Sequence, residues 1–375
     1  MPVPLIDLTR DSKQLTAVEA AVVRVVRSGN YVLGSEVENF ERELTEYLGV
    51  KHALAMSSGT DALLAPLMAL GIGPGCEVLL PTYSFFATAG VVARTGATPV
   101  FVDVEPVHWT IDPQRLEETL QRCSNPKAVI GVHLFGTAFD IDAVAAICKR
   151  RSIPLIEDAA QAIGTIHNGR MLGNHGLCGA WSTFPTKNLG GLGDGGFLTT
   201  DDDELADQCR LLRNHGQAQL YEHHTIGGNF RMDAIQAAAL RVKLQSIEEV
   251  TMTRRDNAER YRQLFAEAGL GDWAELPTDT DRHAYHQFVI RLPVGQRDRV
   301  ISHLRQQGIG CGIYYPIPFH RQPCFAYLGA DPSDFPVAEQ ASRTALALPI
   351  FQGLTEAEQV DVVGALKHFP RPVSA

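Results

Sequence analysis

One lysine, Lys187, stands in the run Ser182-Thr183-Phe184-Pro185-Thr186-Lys187-Asn188-Leu189-Gly190-Gly191-Leu192-Gly193-Asp194-Gly195-Gly196, between strand-like stretches 179–184 and 196–200. A glycine-bounded turn of this kind places the amine at the edge of a buried sheet. Partly desolvated there, a lysine loses its proton more readily and becomes a nucleophile toward carbonyls. The ordinary alternative is a solvated loop lysine, since nearly all lysines are surface groups. Three other stretches shift the balance.

Asp158 closes the apolar run Ile153-Pro154-Leu155-Ile156-Glu157, which reads as a buried parallel strand delivering its last side chain to the carboxyl edge of the sheet. Residues 159–186 leave room for the chain to return to that edge, so Asp158 and Lys187 can face one ring. An anionic carboxylate against a pyridine nitrogen and a lysine against an aldehyde carbon are what pyridoxal phosphate requires. Its phosphate needs backbone N–H donors at a helix start, and Ser57-Ser58-Gly59-Thr60-Asp61-Ala62-Leu63 offers a strand, a small-residue turn and a helix. Plain helix capping explains the same motif. Pro81-Thr82-Tyr83-Ser84-Phe85-Phe86-Ala87-Thr88 puts two phenylalanines just beyond another strand, where one of them can stack on the ring.

With those stretches in hand the chain resembles the DegT/DnrJ/StrS sugar aminotransferases, fold-type-I pyridoxal phosphate enzymes. The resemblance covers nearly the whole chain. It rests on an ordered set: Gly34 with Phe40-Glu41, Ser58-Gly59-Thr60-Asp61-Ala62-Leu63, His133-Leu134-Phe135-Gly136, Glu157-Asp158-Ala159-Ala160-Gln161, Pro185-Thr186-Lys187-Asn188-Leu189-Gly190, Gly193-Asp194-Gly195-Gly196, Gly228-Asn229-Phe230-Arg231-Met232-Asp233 and Tyr315-Pro316.

The resemblance implies that Lys187 holds the cofactor in a Schiff-base linkage and later moves the proton. It implies that Asp158 pairs with the ring nitrogen, that Gln161 reaches the phenolic oxygen, and that Gly59, Thr60 and Ser182 bind the phosphate. Phe85 would be the stacking ring. Asn229 would reach the phosphate of a neighbouring subunit, making a homodimer with shared sites. Relatives with histidine at the lysine position resemble dehydratases; the lysine here favours transamination, from an amino acid such as glutamate to a nucleotide-linked keto sugar. The pattern around Tyr315 and His320 looks more like enzymes that aminate C3 than C4. A 4-keto sugar aminotransferase, a pyridoxal-dependent sugar dehydratase and a non-catalytic regulatory relative are the alternatives. Arg231 either contacts substrate phosphate or braces the interface; His320 either approaches the sugar or packs against Tyr315.

The elements that must position these groups follow from length and pattern. A chain of 375 residues, 45% apolar and 20% charged, is an ordinary globular composition and long enough for two domains. Strand-like runs alternate with helical segments from residue 53 to 200, which predicts an α/β fold with a mainly parallel sheet covered by helices on both faces. Residues 1–248 are expected to form the large cofactor-binding domain. Residues 249–375 are expected to form a smaller C-terminal α/β domain, with a polar linker at 269–281 and short strands at 286–292 and 311–315. A net charge of −10 argues against general affinity for nucleic acid or anionic membranes. Seven cysteines without C-x-x-C spacing read as reduced thiols, and the start of the chain lacks a signal-peptide pattern, so a cytoplasmic protein is expected. The neighbouring His223 and His224 lack same-face metal spacing, and no metal site is expected.

Overall fold

Apolar side chains in each strand alternate between two faces, and that alternation organises the molecule. In the computed structural model, which describes residues 2–10, 12–278 and 283–371, seven strands form one sheet. They are β1 (His52–Met56), β2 (Glu77–Pro81), β3 (Thr98–Val102), β4 (Pro126–Val132), β5 (Leu155–Asp158), β6 (Cys178–Ser182) and β7 (Gly196–Thr200). Their order is β1-β7-β6-β5-β4-β2-β3, and only β7 runs against its neighbours. The sheet is thus mainly parallel, as its apolar runs predict.

Leu54, Met56, Val78, Leu80, Ile130, Ile156, Ala180 and Leu198 face one buried cluster. Helices α3 (Gly59–Ala69), α4 (Ala87–Arg94) and α7 (Asp203–Arg213) cover that side. Ala53, Ala55, Leu79, Val129, Leu155, Trp181 and Phe197 face the other, under α2 (Ser35–Leu48), α5 (Pro113–Leu120), α6 (Ile141–Arg151) and α8 (Ala234–Leu244). The first helix, α1 (Ser12–Ser28), packs Ala21 and Val25 against Ala234 and Ala238 of α8. Helix α2 stops where Gly49 takes a left-handed conformation, φ 69°, and returns its N–H to Thr45 O.

A third buried cluster lies in the C-terminal part. Helix α9 (Ile247–Glu267) passes between cores: Ile247 and Val250 join the sheet's second face, whereas Ala258, Tyr261 and Phe265 join the third cluster. With α10 (Arg297–Gln306), α12 (Glu356–Lys367) and the antiparallel pair β8 (Phe288–Arg291) and β9 (Ala345–Leu348), they enclose Val3 from the N-terminal segment. The chain between them, including α11 (Pro336–Thr344), returns Phe319, Phe325, Phe335 and Ala338 to the first face of the sheet. No helix among the described residues is long and apolar enough to cross a membrane.

Two local expectations differ from the structure. Residues 311–315 form no strand; Gly312 makes one bridge to Ala347, because the backbone at Tyr314 and Tyr315 is captured by the Tyr83 hydroxyl instead. The expected linker at 269–281 is packed at its start, with Leu270 and Ala274 buried and Glu275 paired to Arg291; residues 279–281 lie outside the described residues. Around the neighbouring His223 and His224 the chain forms a short hairpin, Gln217–Gln219 with Glu222–His223.

Candidate active site

Strand ends and the turns that follow them build a cavity of about 470 Å³ at the carboxyl edge of the sheet. Its wall includes Asp158 from the end of β5 and Lys187 from the turn between β6 and β7. That turn is tight: Lys187 N–H donates to Phe184 O at 2.8 Å and Gly191 N–H to Thr183 O at 2.7 Å. Gly190 is required because a Cβ there would lie 2.3 Å from Pro185 O. From outside the turn, Lys243 Nζ holds Gly190 O, and Asn188 donates to Ala284 O.

Lys187 is open to the cavity yet largely surrounded by protein, and this desolvation pulls its ammonium down to about 8 against the opposing pull of Asp158. Asp158 is 5% exposed. Burial raises its carboxyl above the ordinary range, while the Thr88 hydroxyl, at 2.7 Å from Oδ2, and the Ala160 N–H, at 3.3 Å from Oδ1, stabilise the anion. The adjacent Glu157 points to the opposite face. There it meets His133 Nε2 at 2.8 Å and the N–H groups of Gly173, His175 and Gly176. Burial alone would raise its carboxyl, but these bonds prevail and hold it below the usual carboxylate range. His133 therefore serves the fold on the far side of the sheet, stacked on Phe139.

Beyond β1, Ser58 caps α3 by accepting from Asp61 N–H at 3.0 Å. Gly59 follows, so close to Ser182 that a Cβ would stand 2.7 Å from the serine Cβ. Gly59, Thr60 and Ser182 thus line one end of the cavity at the start of a helix, an arrangement that accepts a phosphate. Phe85 lines the cavity, 6.2 Å from the Tyr315 ring, whereas Phe86 stacks on Phe325 outside it. Gln161 accepts from Phe135 N–H at 2.6 Å and donates to the Tyr315 hydroxyl at 3.2 Å. Anion cradle, exposed ring, buried carboxylate and depressed lysine together fit pyridoxal phosphate.

Of the substrate candidates, Tyr315 lines this cavity. The Asn229 side chain is exposed and outside it, although its neighbour Phe230 accepts from Ser57 N–H at 2.8 Å beside the α3 start. Arg231 is outside as well and donates to Asn214 at 2.6 Å. His320 is buried away from the cavity, bonded to Thr82 at 2.8 Å and Glu339 at 2.9 Å, and stacked on Phe335 rather than Tyr315. His223 and His224 take separate partners, His215 O and Glu222.

Four lining or supporting residues were not legible as site residues: Thr88, Tyr314, His286 and Gln287. His286 is buried against the cavity, and desolvation holds its imidazole well below the ordinary histidine range, hence uncharged. Its position before the apolar run 288–292 carries only a strand signal. Thr88 closes the aromatic stretch with no signal of its own.

The sequence profile of the DegT/DnrJ/EryC1/StrS aminotransferase family matches residues 13–367. A "Pleiotropic regulatory protein" of Geobacillus stearothermophilus is 44% identical over 374 residues, 99% of each chain. The dTDP-3-amino-3,4,6-trideoxy-alpha-D-glucose transaminase of Streptomyces venezuelae is 39% identical, covering 99% of this chain and 97% of that one. Among solved structures, S. venezuelae DesV in complex with a ketimine intermediate superposes with a TM-score of 0.94 at 38% identity, covering 100% of both chains. The ntda structure from Bacillus subtilis with bound cofactor PMP has a TM-score of 0.91 at 31% identity, covering 98% of this chain and 85% of that one.

Proposed function

This chain belongs to the DegT/DnrJ/EryC1/StrS aminotransferase family, and from that premise we propose a pyridoxal phosphate-dependent transaminase that moves an amino group from glutamate to C3 of a nucleotide-linked keto sugar. The observation that carries the reading is the meeting of Lys187 and Asp158 in one cavity, with the lysine depressed to about 8. The 3-amino sugar in the name of the Streptomyces transaminase supports C3.

Pyridoxal phosphate, when bound, supplies the electron sink for a carbanion. The residues present do the rest. Gly59, Thr60 and Ser182 would hold the phosphate, Phe85 would cover the ring, Asp158 would keep the ring nitrogen protonated and Gln161 would reach the phenolic oxygen. Lys187 Nζ, as free base, takes the proton from the α-carbon of the amino donor; in the second half of the cycle it delivers a proton to the sugar carbon. The buried, uncharged His286 and the Tyr314–Tyr315 wall limit water at that amine.

A homodimer with shared sites is part of this proposal. It is supported by the exposed apolar side chains of the 217–228 arm, Leu220 at 79%, Tyr221 at 86% and Ile226 at 88%, and by the exposure of Asn229 just beyond them. A solely regulatory role, suggested by the name of the Geobacillus relative, leaves the Lys187–Asp158 pair without a task.

The test begins with the purified protein and pyridoxal phosphate. Borohydride reduction and peptide mapping are expected to tag Lys187, and glutamate to release 2-oxoglutarate in a half-reaction. Turnover of 3-keto over 4-keto nucleotide sugars then supports C3. A tag on another lysine, or no oxo acid, overturns the transaminase reading.

A further inference from the structure

The first turn of α4 holds a buried hydroxyl against the carboxylate. Thr88 is 0% exposed, and its Oγ1 donates to Asp158 Oδ2 at 2.7 Å. A threonine hydroxyl has one hydrogen, so a proton spent on the carboxylate leaves only acceptor capacity on Oγ1. Ser84 Oγ lies 3.1 Å away and must be the donor to Thr88. The direction of the chain is therefore set: Ser84 to Thr88 to Asp158. A hydrogen bond given to a carboxylate in a dry site favours its ionised form and one rotamer. The Ala160 N–H on the other oxygen is longer, at 3.3 Å, which leaves the threonine as the shorter of the two bonds. The same turn also fixes the ring-covering side, since Thr88 N–H donates to Phe85 O at 3.1 Å.

We propose that Thr88, oriented by Ser84, is a positioning residue that keeps Asp158 ionised and aimed at the ring nitrogen of the cofactor. The inference rests on the reading of Asp158 as the partner of that nitrogen. It acts on the nitrogen alone, not on the phosphate or the aldehyde carbon. The effect must therefore vanish for a cofactor without the nitrogen.

Binding of pyridoxamine phosphate, which makes no covalent link to Lys187, is compared with that of its 1-deaza analogue, in which carbon replaces the ring nitrogen. Dissociation constants are measured by equilibrium dialysis on cofactor-free wild-type, Thr88→Val and Thr88→Ser proteins. The valine is close in shape and lacks the hydroxyl. The wild-type protein is expected to prefer the nitrogen-containing ligand. Thr88→Val should weaken that ligand by about tenfold, the scale of one hydrogen bond to a charged group, and leave the deaza analogue unchanged. Thr88→Ser should restore the preference. Equal weakening of both ligands means a packing role and overturns the proposal, as does a Thr88→Val protein with the full wild-type preference. A wild-type protein that does not distinguish the two ligands refutes instead the placement of Asp158 against the nitrogen.

Discussion

At the scale of the residue, Lys187 owes its reactivity to where its amine is held. An amine lowered to about 8 by desolvation is partly free base near neutral pH, whereas an ordinary lysine is almost wholly protonated there. The rate at which cofactor-free protein captures pyridoxal phosphate, followed by visible absorbance, is expected to rise about tenfold per pH unit and level off above about pH 8. A rise continuing unbroken into the ordinary lysine range would show that the amine is solvated. Replacing the group removes both nucleophile and base. Lys187→Ala should still bind cofactor without a covalent link, with turnover lower by roughly 10²- to 10⁴-fold, the usual contribution of a positioned general base. Full turnover in that variant would refute the assignment.

At the scale of the element, two turns set the site's precision. The β6–β7 turn tolerates no Cβ at Gly190, where Pro185 O lies 2.3 Å from the position it would take. Gly190→Ala should lower stability by about 1–3 kcal/mol, as forced packing does, and reduce labelling of Lys187 by borohydride. Urea unfolding with peptide mapping checks both. The second turn, 173–176, is tied by its N–H groups to Glu157, one residue before Asp158 and on the other face. The folded Glu157 carboxyl sits below its unfolded value of about 4.3, so its stabilisation is complete above that pH. It is lost as the pH falls through the lower folded value. Glu157→Gln should therefore cost roughly 2 kcal/mol at neutral pH, typical of bonds to a charged group, and much less in acid. A cost independent of pH would deny the carboxylate this role.

At the scale of the whole molecule, the site draws on widely separated parts of the chain. Tyr83 on the sheet side clips Tyr314 O and Tyr315 N–H, which brings a C-terminal wall against Gln161. Asn229 lies outside its own cavity, and its proposed role across a dimer has a direct test. Lys187→Ala and Asn229→Ala chains, each impaired alone, are unfolded together and refolded as a mixture. In a two-fold dimer with shared sites, half of the dimers would be mixed and each would hold one intact site, recovering about a quarter of wild-type activity. No recovery on mixing would place Asn229 in the service of its own chain.

What the sequence determined by itself is local. Strand alternation, the Gly190 turn, the capped start of α3 and the end of β5 each depend on neighbours within a few residues, so the sheet, the lysine turn and the helix start for the phosphate were legible. The ordered motifs identified the family for the same reason. Tertiary structure decided what depends on approach between distant segments. Thr88 meets Asp158 and His286 meets the cavity only once separate strands and helices have packed, and no spacing rule encodes such contacts. His320 shows the same limit from the other side. By sequence it either approaches the sugar or packs against Tyr315, yet it is drawn inward, bonded to Thr82 and Glu339 and stacked on Phe335. The expected strand at 311–315 likewise yielded to a single hydroxyl, Tyr83, whose place beside it exists only in the folded chain.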